Sequence, residues 1–297
     1  DVPAVLARAE DHCSQRHYNS FMPELPELDV VCEVLSRRVA GRKIRAAEVV
    51  MPGGGIVTRS LIRVPFAEGA AGKSIRAVRR RGKYVLLTLD EPLILAVNPK
   101  LTGRFQLAKP GEKRKPKTML VFDLGEDLQL RYIDQKQMGQ LYLTDDLDKV
   151  PEFSGLGPEP YEMTLEEFNT RIRKYLGEIK GVLTRGEFVA GIGNAYADEI
   201  LWEARIHPYR KRSKLSPEEI ERLYHAMLKV LRESTEKVRA EMGEVIDTKP
   251  REFMAVHMKT GEPCPRCGTA VSLVGANQRI TNFCRTCQPG GLIKGMG

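Results

Sequence analysis

No apolar run in this sequence approaches the length needed to span a bilayer. Residues 1–21 carry both charge signs and lack a continuous apolar core, so they do not read as a secretory signal. There is no internal repeat and no low-complexity tract. Acidic residues are the minority charge, 39 Asp and Glu against 47 Lys and Arg, for a net charge of +8. What is present is 297 residues, 42% hydrophobic and 29% charged, the composition of a soluble globular protein with room for two or three domains.

Cysteine is also scarce outside one cluster. Of six cysteines, Cys13 and Cys32 read as ordinary thiols, and the other four form C-x2-C-x16-C-x2-C from Cys264, Cys267, Cys284 and Cys287. Each CxxC puts two thiolates on one tight turn, and two such turns complete a tetrahedral shell for one structural Zn²⁺. A disulfide framework is the competing reading. A cysteine-poor chain without a secretory signal points instead to a reducing cytoplasm. Four thiolates leave no open coordination position, which argues against metal-hydrolase and zinc-deaminase chemistry.

The basic excess favours a polyanionic partner. Its densest stretches are Arg79-Arg80-Arg81-Gly82-Lys83 and Arg210-Lys211-Arg212. A solvated surface is the plain reading of each.

Hydrophobic periodicity changes twice along the chain. Leu28, Val31, Val34, Leu35 and Val39 recur at helical spacing after Pro26, and Gly41 suits the end of that helix. Residues 84–89, 93–97, 119–124, 128–133 and 140–143 are short aliphatic and β-branched runs separated by turn residues, which predicts an antiparallel sandwich or barrel. Residues 151–160 hold three prolines and two glycines and read as a linker. Helices follow. Capping boxes begin at Thr164 and Ser216, and the second opens a long helix with Ile220, Leu223, Met227, Val230 and Leu231 inward. The expected division is an extension over 1–21, a β-sandwich domain over 22–150, the linker, a helical domain over 161–254 and a zinc module over 255–292.

Met22-Pro23-Glu24-Leu25-Pro26-Glu27 resembles the amino-terminal signature of the formamidopyrimidine-DNA glycosylase/endonuclease VIII family. The resemblance continues through Leu156-Gly157-Pro158-Glu159-Pro160, then residues 191–201 (GIGNAYADEIL), Ile206-His207-Pro208, and the two knuckle segments 261–268 and 278–284. It spans residues 22 to about 290 in family order. It implies an α+β, multi-domain fold: a helix-flanked antiparallel β-sandwich, a helix–two-turn–helix domain and a zinc-ribbon-like hairpin finger. It also implies a bifunctional glycosylase and abasic-site lyase of base-excision repair, acting as a monomer on damaged double-stranded DNA in the bacterial cytoplasm.

The chemistry explains the residue types. An α-amine has a reference pKa of about 8, far below that of lysine, so much of it is nucleophilic near neutrality. By resemblance, Pro23 is that nucleophile once Met22 is gone. Pro23 as written is internal, and its amide nitrogen cannot form an iminium, so the active form is expected to begin at Pro23. Glu24 is implied as general acid/base; beside a helix start it could equally be a carboxylate favoured by the helix dipole. Lys83 matches a phosphate-contacting strand lysine. Arg279, between the knuckles, matches the finger arginine assigned to δ-elimination. Asn194 and Lys180 match backbone-phosphate contacts; the glycines before Asn194 let N–H groups approach an anion.

The family fills the gap left by the extruded nucleotide with three side chains from two loops. Here the first loop is Asn98-Pro99-Lys100-Leu101-Thr102-Gly103 and the second Asp134-Gln135-Lys136-Gln137-Met138-Gly139. Leu101, Lys136 and Met138 stand in the inserting positions, although Leu101 and Met138 also fit simple core packing. Both loops depart from the usual family pattern, and Lys136 lacks arginine's bidentate fork. The link 245–259 is short, where oxoguanine-specific members usually have a longer loop. These departures keep a second reading open, a catalytically silent protein that recognises lesions or DNA shape. A zinc-ribbon RNA or transcription factor explains the knuckles but not Pro23.

Overall fold

The computed structural model describes residues 22–125, 127–275 and 280–290. Their chain contacts divide into two compact units.

The first unit contains Pro23, residues 27–154 and residues 238–250. Most of helix α1 (Leu25–Val39) belongs to it. Glu27 lies in the helix's first turn and Arg37 and Arg38 in its last, each favoured by the local sign of the helix dipole. Val31, Val34, Leu35 and Val39 are buried, as the periodicity predicts.

A four-stranded sheet runs in the order β1 (Ala46–Val49), β7 (Thr118–Asp123), β8 (Gln129–Asp134), β6 (Gly103–Ala108). A five-stranded sheet runs β2 (Thr58–Ser60), β9 (Gln140–Thr144), β5 (Ile94–Asn98), β4 (Tyr84–Thr88), β3 (Ala77–Arg81). The short helices α2 (Gly53–Val57) and α3 (Phe66–Ala70) flank β2. Strands β4 and β7 are buried along nearly their whole length rather than at alternate residues. That is why their sequences are continuous apolar runs.

One pairing departs from the antiparallel expectation: β2 lies parallel to β9, with Thr58 opposite Leu141. No hairpin joins these strands, so no tight turn imposes the antiparallel sense. The strands missed by periodicity, β1, β2, β3 and β6, are short, polar or interrupted by basic residues. The Arg79–Lys83 basic run is itself β3 and its turn into β4.

The second unit contains residues 24–26, 155–237 and the described residues from Arg251 onward. Its helices are α4 (Leu165–Ile172), α5 (Ile179–Leu183), α6 (Asn194–Glu203) and most of α7 (Pro217–Met242). Both capping boxes form: Thr164 Oγ1 accepts from the Glu167 N–H, and Ser216 Oγ from the Glu219 N–H. Phe168, Val182, Phe188, Tyr196, Leu223 and Met227 share one core. Strands β10 (Ser272–Val274) and β11 (Thr281–Phe283) form an antiparallel hairpin.

Residues 238–250 group with the first unit rather than with the helical part in which the sequence places them. Met242 and Ile246 are buried, Arg239 grips Glu33 at 2.7 Å, and Lys115 pairs with Asp247. Among the described residues, no helix is long and apolar enough to cross a membrane.

Candidate functional site

In the second unit, the start of α6 is a built anion site. Glu24 is 3% exposed, and its carboxylate accepts the N–H groups of Gly193 at 2.6 Å, Ala195 at 3.0 Å and Tyr196 at 3.3 Å. These are the unpaired donors of a helix amino terminus, and a carboxylate there satisfies them while meeting the positive end of the dipole. The Arg251 guanidinium lies 3.9 Å from the same carboxylate and over the Tyr196 ring. The chain turns into this arrangement at Gly191, whose φ is +88° and whose carbonyl accepts the Leu25 N–H at 3.0 Å. A Cβ at Gly191 would stand 2.9 Å from the Leu25 Cβ. Gly191→Ala should therefore cost about 1–3 kcal/mol through left-handed strain and this contact. A urea midpoint unchanged from the parent would contradict it.

Asn194 opens α6, and its side-chain amide donates to the Ile280 carbonyl at 2.7 Å. Lys180 does the same at 2.9 Å, adds Thr281 Oγ1 at 3.0 Å, and forms an ion pair with Asp198 at 2.6 Å. Lys180 is only 7% exposed; burial pulls its pKa below the ordinary lysine value, against the opposing pull of Asp198. Both expected phosphate ligands thus hold the backbone of the finger hairpin. Arg279 itself lies outside the described residues, one position before Ile280.

Asp198 joins this network further, accepting the Asn282 N–H at 3.2 Å and lying 2.9 Å from His257 Nδ1. Its neighbour Glu199 accepts the N–H groups of Ala255, Val256 and His257 at 2.8–2.9 Å, which anchors the short link ahead of the knuckles. Burial raises the Glu199 pKa, and these three bonds work against that rise. The Asp198-Glu199 pair stands inside the motif at 191–201, but no spacing rule assigns it partners 56 to 84 residues away.

In the first unit, Pro23 is buried and lines a narrow cavity together with Glu27, Pro99, Arg104, Thr248 and Lys249. Of these, only Pro23 carries a predicted role. Glu27 is 1% exposed and stands at the sixth position of the opening motif. Lys249 comes from the segment that departs from the family pattern. Lys83 sits half-buried in the β3–β4 turn. Arg80 ties β3 to α1 through Asp29 at 2.5 Å.

The two expected insertion loops are stitched to each other. Asp134 accepts from Thr102 Oγ1, from the Gly139 N–H at 2.6 Å and from the Lys136 N–H at 3.3 Å; Lys136 N also reaches Thr102 Oγ1 at 2.9 Å. A Cβ at Gly139 would fall 2.0 Å from the Tyr132 hydroxyl, so the second loop closes only with glycine there. Leu101 is half-buried, Lys136 is exposed, and Met138 is 45% exposed, more than a packed core methionine would be. Thr102 and Asp134 escaped the sequence reading because nothing local marks them as a pair.

The four knuckle thiols converge, with all Sγ atoms within 4.8 Å of one another. Cys264 and Cys287 approach to 3.9 Å, and Cys267 and Cys284 to 3.4 Å. Zn–S bonds of about 2.3 Å in a tetrahedron require S···S of about 3.8 Å, so the set fits zinc. Burial opposes ionisation of Cys264, yet hydrogen bonds from Trp202 and from the Arg266 and Cys267 N–H groups bring its pKa below the ordinary value. Hydrogen bonds from Thr269 lower Cys267 to about 6. Burial and the neighbouring sulfurs push Cys287 up to about 12. A close set of thiolates repels itself, and a divalent cation removes that repulsion. Gln288 braces the second knuckle, accepting the Cys284 N–H at 2.9 Å and donating to the Ile206 carbonyl at 3.0 Å.

The helical unit, its anion site and the four-thiolate finger define a zinc-finger DNA glycosylase of base-excision repair. Residues 22–141 match the formamidopyrimidine-DNA glycosylase N-terminal domain, 156–243 its H2TH domain, and 261–290 the zinc finger found in FPG and IleRS. The chain belongs to the formamidopyrimidine-DNA glycosylase family. It is 38% identical over 276 residues to formamidopyrimidine-DNA glycosylase of Pelotomaculum thermopropionicum, covering 90% of this chain and 99% of that one. Identity to the Symbiobacterium thermophilum formamidopyrimidine-DNA glycosylase is 36% over 280 residues, covering 90% of each. Among solved structures, a Lactococcus lactis FPG mutant in complex with Fapy-dG containing DNA is similar, with a TM-score of 0.79 and 30% identity over 90% of this chain and 100% of that one.

Proposed function

We propose that this chain excises oxidised or ring-opened bases from double-stranded DNA and then cleaves the abasic strand, with Pro23 as nucleophile. The placement of Glu24 carries the reading. The residue covalently next to Pro23 is a buried carboxylate held by three N–H groups at the start of the helix that Asn194 opens.

The Pro23 amine attacks C1′ and the bond from C1′ to the base breaks. The base leaves with the proton the amine gives up; O4′ then takes a proton and the C1′–O4′ bond breaks as the nitrogen lone pair forms the iminium. Glu24 supplies or takes protons as the base departs and the sugar ring opens. The iminium acidifies C2′–H; loss of that proton expels the 3′ phosphate, and a further proton loss expels the 5′ phosphate. Lys83 and Arg279 hold the phosphates, while Asn194 and Lys180 secure the backbone beside the lesion or the finger that grips it. Leu101, Lys136 and Met138 occupy the space the extruded nucleotide leaves. Zinc, held by Cys264, Cys267, Cys284 and Cys287, keeps the finger rigid and takes no part in the chemistry. The protein acts as a monomer in the bacterial cytoplasm.

Incision of a duplex panel carrying a ring-opened purine, 8-oxoguanine, an oxidised pyrimidine or an abasic site tests this. Ring-opened or pyrimidine lesions should be cut faster than 8-oxoguanine, because the link 245–259 is short. Tight binding of the panel with no incision would replace this reading with a silent recognition protein.

A further inference from the structure

The chain has one tryptophan, Trp202, in the last turn of α6. Its indole N–H donates to the Cys264 sulfur at 3.3 Å. Arg266, from within the first knuckle, lies with its guanidinium carbon 4.0 Å from the centre of the indole ring. The same guanidinium donates to the Trp202 carbonyl at 2.9 Å and pairs with Glu203 at 3.1 Å, and Glu203 pairs with Lys229 of α7 at 2.6 Å. The knuckle therefore clamps the indole by its face while the indole edge donates into the knuckle.

An indole nitrogen is a donor only, so this contact cannot reverse direction. Donation to a metal-bound thiolate shares its lone-pair density with a second partner and fixes the orientation of the sulfur, as outer-sphere partners of metal ligands do. A cation over the ring face draws density from the indole and strengthens that donor. Beside the Arg266 and Cys267 N–H groups, which also reach this sulfur, Val256 and Val271 are buried with Cys264 and Cys284. No bulk water competes for the sulfur at 2% exposure of Cys264.

We infer that Trp202 is a positioning residue of the zinc site, an outer-sphere donor to Cys264 backed by Arg266, and that it sets how long the finger keeps its metal. This rests on the zinc reading above. Packing alone predicts that phenylalanine would serve equally well; donation predicts that it would not.

The test uses the full chain. Trp202→Phe keeps an aromatic ring and removes the donor; Arg266→Met keeps the stem and removes the cation. Zinc transfer to an excess of a colorimetric chelator should accelerate about 10–100-fold in Trp202→Phe, the usual range for losing an outer-shell partner, and by less in Arg266→Met. In the cobalt-substituted protein, the thiolate-to-metal charge-transfer band should move to longer wavelength in Trp202→Phe, with a smaller shift in Arg266→Met. A change in packing that leaves the N–H donor in place would not produce that ordered shift. Release within two-fold of the parent, or an unmoved cobalt band, overturns the inference. If Trp202→Phe does not fold, the cobalt band of Arg266→Met decides alone, and an unmoved band refutes the role. A parent chain without one zinc per molecule by elemental analysis would instead sink the zinc reading itself.

Discussion

A chain whose first residue is Pro23 should be trapped covalently on abasic-site DNA by borohydride, and the same chain with Met22 retained should not. The reason lies in the nitrogen. As a terminal secondary amine, proline keeps an available lone pair near neutrality and, on condensing with an aldehydic carbon, gives a cationic iminium that borohydride reduces. As an internal residue its nitrogen is an amide, with the lone pair delocalised into the carbonyl. No side chain needs to change for activity to vanish; one peptide bond suffices. The difference should be all-or-none in the gel-shifted adduct, with both forms showing the same melting curve and the same DNA affinity. Mass spectrometry that finds a trapped adduct on a chain still carrying Met22 would remove Pro23 from its role.

Glu24→Gln should slow release of a damaged base by about 10²–10⁴-fold, the range for losing a positioned general acid or base. Cleavage of a preformed abasic site should fall much less. There the base is already gone, and part of the sugar is already open, so the proton transfers assigned to Glu24 are largely bypassed. The substitution is nearly isosteric, and the amide oxygen can still accept some of the N–H groups of Gly193, Ala195 and Tyr196. It does remove a negative charge from a helix amino terminus and from beside Arg251, so some loss of stability should accompany it. Equal losses on lesion and abasic substrates would argue that Glu24 only holds the helix end. The two substrates thus separate chemistry from architecture, a distinction that single-substrate kinetics would blur.

Legibility in the sequence tracked how local the determining physics is. The zinc set was readable because two residues between thiols encode one turn, whatever surrounds it. The long helix α7 was readable from Ser216 and its 3.6-residue apolar spacing, and β4, β7 and β8 from short runs rich in aliphatic and β-branched residues. Strand β3 was hidden because Arg79, Arg80 and Arg81 look like a solvated charge run, whereas Arg80 is buried against Asp29. Strand β2 was hidden because three residues hold no period, and its parallel partner β9 lies some eighty residues away. The family resemblance implies a phosphate contact for Lys180 and says nothing of Asp198 or of the Ile280 carbonyl, which hold it inside.

The same division runs through the site. Sequence alone determined that Pro23 could become a nucleophilic amine, that four thiolates could hold zinc, and that the chain carries a carboxylate next to its reactive proline. Covalent order and side-chain chemistry settle those matters without a fold. Only the tertiary structure decided that Glu24 meets N–H groups 169 to 172 residues away, that Asp134 binds the loops at 98–103 and 134–139 together, and that Trp202 donates to Cys264 across 62 residues. Such pairings follow from which apolar faces are buried together. Once water is excluded there, each buried donor must find an acceptor, and which one it finds is settled by the closed chain rather than by its neighbours in sequence.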